Sequence, residues 1–127
     1  MVDPMVQELL EQAVDSPVKL HLLMMFYENP RMEATARAIA DRVCRDMWSV
    51  SQALSEMAHD GIMLISAVSN GEPVYRYEPA QERLESIERL VSRYDDPMER
   101  DLLHHSIRDL AAYAIFRHTN VWETQVA

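Results

Sequence analysis

The chain has 127 residues, enough for one hydrophobic core and too few for two. Its 21 acidic and 12 basic residues give a formal charge of −9, which excludes a generally basic, histone-like nucleic-acid binder. With only 2 Gly, but 9 Met and abundant Leu, Ala, Glu and Arg, the composition favours helices over a turn-rich sheet fold.

The first helix signal is Asp3-Pro4, a cap followed by proline at the first helical position. The expected helix runs to about Val14 with Val6, Leu9, Leu10 and Ala13 on one face. Ser16-Pro17 repeats the signature and opens a helix to Glu28 that is apolar nearly all round. Such a helix is buried on most sides, so it is expected to be the central post, with His21 a satisfied core histidine. Asn29-Pro30 ends it. Thr35 caps a short helix to about Val43, whose Ala36, Ile39, Ala40 and Val43 form one inward stripe. After a turn at Cys44-Arg45, Asp46 caps a helix from Met47 to about His59. Met47, Val50, Leu54, Met57 and Ala58 are expected to face inward, and Trp48, Ser51, Gln52, Ser55 and His59 outward.

Asp60-Gly61 stops that helix, because glycine suits the left-handed position after a helix end. Ile62 to Val68 reads as a strand, and Asn70-Gly71 is the strongest two-residue hairpin signal. Val74 to Tyr77 is the returning strand. A helix from about Ala80 to Tyr94 places Leu84, Ile87, Leu90, Val91 and Tyr94 on one face. Asp96-Pro97 starts another, expected to end near His118 before a loose tail. In it Leu103, Ile107, Leu110 and Ala114 step by four, three and four, the rhythm of a helix–helix seam.

The run Ile39-Ala40-Asp41-Arg42-Val43, a turn, then Val50, Leu54, Met57 and Asp60-Gly61-Ile62-Met63 resembles the winged helix-turn-helix of bacterial transcriptional regulators of the MarR, ArsR and PadR type. The resemblance covers roughly residues 17 to 78. It implies a mostly α fold with a small β-hairpin, divided into an N-terminal helix (1–16), the winged helix-turn-helix (17–79) and C-terminal helices (80–127) that join two copies as a homodimer. Met47 to His59 is then the recognition helix, with Trp48, Ser49, Ser51, Gln52 and Ser55 facing the bases of double-stranded DNA. Arg37, Arg42, Arg45 and Arg76 would face phosphates, with Asn70 at the wing tip, and Leu103, Ile107, Leu110 and Ala114 would form the dimer interface. Residues 33 to 78 hold seven acids and four bases, the recognition helix has no Arg or Lys, and Glu72 sits at the wing tip. Those facts keep a second expectation open, an acidic winged-helix module that docks a protein and not DNA.

Other residues carry weaker signals. Trp48 is either an outward contact or packs back on the terminal helices. Met24 and Met25 read as core filling. His104 and His105 read as a surface pair, with His105 able to share a face with Asp101 or Asp109. Cys44, the single cysteine, excludes an internal disulfide and a zinc-finger set, and reads as a small inert residue rather than a redox sensor. No nucleophile–base motif or glycine-rich phosphate loop is present, so the expectation is a non-enzyme without metal or cofactor. No run approaches the roughly 18 apolar residues of a membrane span, and no basic-then-apolar leader opens the chain, so a cytoplasmic protein is expected.

Overall fold

A computed structural model describes residues 3–126, with side chains described through Ala112. It comprises α1 (Pro4–Gln12), α2 (Pro17–Glu28), β1 (Glu33–Thr35), α3 (Ala36–Val43), α4 (Met47–His59), β2 (Met63–Ser69), β3 (Glu72–Tyr77), α5 (Gln81–Tyr94) and α6 (Pro97–Val126). The fold is therefore mostly helical with one small three-stranded antiparallel sheet.

The helices begin where short polar side chains satisfy the first free N–H groups. Asp3 accepts from the Met5 N–H at 2.9 Å, Ser16 from Lys19 at 3.3 Å, Thr35 from Ala38 at 3.3 Å and Asp46 from Ser49 at 2.8 Å. Pro4 and Pro17 open α1 and α2 at the position where a missing N–H costs nothing. α1 ends at Gln12, two residues before the expected Val14, because the Ala13 and Val14 N–H groups both return to the Leu9 carbonyl. At the other end, α6 continues to Val126, so the expected loose tail from Thr119 is helical.

The hairpin follows its sequence signal. Asn70 and Gly71 have φ of 52° and 79°, the paired positive values of a two-residue turn that matches strand twist. The tight turn lets β3 start at Glu72, two residues before the expected Val74. Pro73 stands opposite Val68 on β2, while β1 stops at Thr35 opposite Val74, so no β1 residue is deprived of a bond by the missing proline N–H. The sheet order is β1-β3-β2. β1 was not expected: Glu33-Ala34-Thr35 is too short to show alternation, and pairing with β3 alone defines it.

Gly61 has φ 82°, and a side chain there would meet the Ala80 Cβ at 3.3 Å. The close approach is used. The Ala80 N–H donates to the Gly61 carbonyl at 2.7 Å and the Glu78 N–H to the Ile62 carbonyl at 3.2 Å. The end of β3 is thus clipped to the end of α4, and α5 leaves from that clip.

A single core draws on both ends of the chain. Leu20, Leu22, Leu23 and Phe26 of α2 are buried together with Ile39 and Ala40 of α3 and Val50, Ala53, Leu54 and Met57 of α4. Val6, Leu9 and Leu10 of α1, Ile87 and Leu90 of α5, and Leu103 and Ile107 of α6 close the same cluster. α2 is the post that was expected, with two corrections. His21 is exposed, because Pro17, His21 and Glu28 lie along the one side of α2 that nothing covers; it accepts a hydrogen bond from the Arg45 Nε at 3.3 Å. Lys19 is buried instead, held by Asp15 at 2.8 Å and Glu56 at 3.1 Å. Burial alone would lower the Lys19 pKa, but the two carboxylates outweigh it and raise it above the ordinary value, so a cation ties α2 to α4. Leu84 is a third correction: it is 47% exposed, and Ser86 takes a buried place on α5.

Candidate functional site

α4 has two faces. Val50, Ala53, Leu54 and Met57 are buried, and Met47 and Ala58 are half-covered. Trp48, Gln52, Ser55 and His59 are exposed along the opposite side, with Ser49 beside them and Ser51 half-buried. Trp48 is 81% exposed, so it does not pack back on the helices of its own chain. The exposed stripe carries no Asp, Glu, Lys or Arg, in a chain of net charge −9.

The turn before α4 fixes how that stripe is presented. Cys44 takes a left-handed conformation, φ 57° and ψ 43°, uncommon for a residue with a side chain. Its N–H and that of Arg45 both reach the Ala40 carbonyl, which closes α3 and turns the chain into α4. Asp46 then caps α4, and its hydrogen bonds from Ser49 hold its pKa below the usual carboxylate value. Cys44 is a free, exposed thiol.

The four arginines around α4 are each engaged, and none pairs with another. Arg37, at the start of α3, meets Glu72 of the hairpin at 3.3 Å. Arg76 on β3 meets Glu78 at 2.8 Å. Arg42 Nη1 lies 3.2 Å from the Met32 sulfur, and Arg45 donates to His21. Asn70 is exposed at the hairpin tip. Arg37 and Arg76 are thus each already matched by an acid, Glu72 and Glu78. These ion pairs are exposed, with Arg37 63% and Glu78 55% accessible, and exposed pairs of this kind contribute only about 0–1 kcal/mol. A phosphate can exchange for either carboxylate at little cost. Their occurrence was not legible in advance: Arg37 and Glu72 lie 35 residues apart, and only the sheet brings the hairpin beside α3.

The seam on α6 is used within the chain. Leu103 and Ile107 are buried in the common core, packed among α1, α2 and α5, and Leu110 is partly buried against it. As an interface between copies, the seam is thus corrected at Leu103 and Ile107: these side chains are already covered. Ala114 lies outside the residues with described side chains. Among the described side chains of α6, Met98 and Leu102 are the large apolar residues left exposed, on the other side of the helix. The α5–α6 corner is held by Tyr94, whose hydroxyl lies 2.9 Å from His104 Nε2 and whose ring and carbonyl both contact Arg100. His105 lies 3.6 Å from Asp109.

Among the described residues, no three His, Cys, Asp or Glu side chains converge as metal ligands, and no helix is long and apolar enough to cross a membrane. Neither family models, curated proteins nor solved structures match this chain.

Proposed function

We propose that the chain is a winged helix-turn-helix transcriptional regulator that binds double-stranded DNA as a homodimer in the cytoplasm and has no enzymatic activity. The observation that carries this reading is the exposed, uncharged stripe of α4, backed by the buried Val50, Ala53, Leu54 and Met57 and flanked by the β2–β3 hairpin. The sequence of elements supports it: helix, short strand, helix, tight turn, helix, then a hairpin whose second strand pairs with the short strand. In such an arrangement α4 enters the major groove and the hairpin tip reaches the adjacent backbone. Gln52 has the paired donor and acceptor that read adenine, and Ser49, Ser51 and Ser55 serve either hydrogen-bonding role. Trp48 supplies apolar contact area. Arg37, Arg42, Arg45 and Arg76 contact phosphates after exchanging their present partners.

A second reading, a module that docks a protein through the same face, is favoured by two observations. Glu72 and Glu78 already neutralise two of the arginines, and Trp48 on α4 and Leu64, Ile65 and Val68 on β2 are large apolar side chains left exposed. Exposed Trp side chains often anchor protein interfaces.

Fluorescence anisotropy on duplex DNA at several salt concentrations separates the two. With four arginine–phosphate contacts per chain and two chains on the duplex, log K is expected to fall with log salt at a slope of about −7. Glu72→Gln, which frees Arg37, is expected to tighten binding to all sequences. On the preferred duplex, Gln52→Ala is expected to cost about 1–3 kcal/mol of discrimination. No binding at micromolar protein in low salt, with capture of a protein partner that Trp48→Ala abolishes, establishes the docking module instead.

A further inference from the structure

We infer that two copies of this chain pair through the outer stripe of α6, antiparallel, about a two-fold axis that crosses the stripe at the level of residue 107. The inference rests on the homodimer proposed above and names the face that makes it.

The inner face of α6 is spent. Leu103 and Ile107 are buried in the chain's own core. On the other side of the helix, Met98 is 79% and Leu102 52% exposed, one helical repeat apart. The same stripe continues through His105, Asp109 and Ala112, at the three- and four-residue spacing of one helix face, and all three are exposed. Because this face points away from α1, α2 and α5, a second chain meets no obstacle there.

The order of residues along the stripe selects a second copy as the occupant. His105 and Asp109 are equidistant from Ile107, and so are Leu102 and Ala112. An antiparallel copy centred on Ile107 therefore brings Leu102 onto the partner's Ala112, large against small. It also brings His105 to the partner's Asp109, and the two-fold repeats both contacts. Charge matters here because the chain carries −9 and repels its own copies. At the centre of the stripe the acid Asp109 meets a histidine, not another acid. A stripe with Asp at both positions would oppose association.

Sedimentation equilibrium on the full chain tests the register. The wild type is expected to sediment as a dimer of the 14.7 kDa chain at tens of micromolar. His105→Asp places acids against the partner's acids and is expected to weaken the dimer by about tenfold or more. The helical signal of the monomer at low concentration should stay close to wild type, since position 105 is exposed and its contact with Asp109 of the same chain is a weak surface pair. Adding Asp109→Arg to that variant restores opposite charges across the axis and is expected to recover the dimer. A monomeric wild type overturns the register and the homodimer with it. A dimer that His105→Asp leaves unchanged, or that Asp109→Arg fails to recover, overturns the register alone. DNA binding by α4 is read separately and is decided by neither result.

Discussion

Phe26→Ala is expected to destabilise the protein by about 3–5 kcal/mol, the range measured for deleting a fully buried ring. Phe26 has no exposed surface, and it sits on α2, which packs against α4 and α6 within the common core. Its removal leaves a void that α2 cannot collapse into, because Leu22 and Leu23 on the same helix are already fixed in the core. Small domains are stable by about 5–15 kcal/mol, so the loss is a large share of the total. Urea unfolding followed by circular dichroism measures it. A cost below about 1 kcal/mol is what an exposed residue gives, and it would contradict the place of α2 at the centre.

The second large effect is alkaline. Tyr77 at the end of β3 is half-buried, and burial, reinforced by Tyr27 and Glu88, pushes its pKa from 10.0 up to about 12. The folded protein holds this proton through a range where the unfolded chain has lost it. A group raised in this way contributes its full stability below pH 10, and the contribution is lost as pH rises towards 12. Two units correspond to roughly 2–3 kcal/mol. Lys19, Tyr27 and Tyr75 are shifted up as well, so the wild type loses stability in the same range from several groups. Comparing urea midpoints of wild type and Tyr77→Phe from pH 8 to pH 12 isolates the Tyr77 part. The variant is expected to lose less stability on raising the pH, whereas parallel curves would show that Tyr77 titrates as if it were in water.

Where a structural feature is made by neighbours in sequence, the chain announces it. The caps Ser16, Thr35 and Asp46 place the starts of α2, α3 and α4 to the residue, because each cap bonds an N–H three residues on. Asn70-Gly71 specifies the hairpin for the same reason, through two local positive φ angles. The outward stripe of α4 was legible too, since half a helical turn separates Trp48, Gln52 and Ser55 from Val50, Leu54 and Met57. Features made by distant residues were not. β1 exists only because β3 passes beside it, and Lys19 is buried only because Glu56 arrives from α4 to meet it. Both look polar and solvated when read locally. The apolar seam of α6 was visible as periodicity, but periodicity does not say whose surface it covers. Packing assigned it to the chain's own core and left Met98 and Leu102 outside.

In the proposed regulator, the exposed side of α4 and the hairpin tip belong to one nucleic-acid surface. Mapping amide and side-chain NMR shifts during titration with a duplex that the protein binds tests it most directly. The Trp48 indole, the Gln52 side-chain amide and the backbone of Asn70 and Gly71 are expected to shift together, while α1 and α5 stay still. Shifts confined to other elements, or a spectrum that no duplex perturbs, would contradict it.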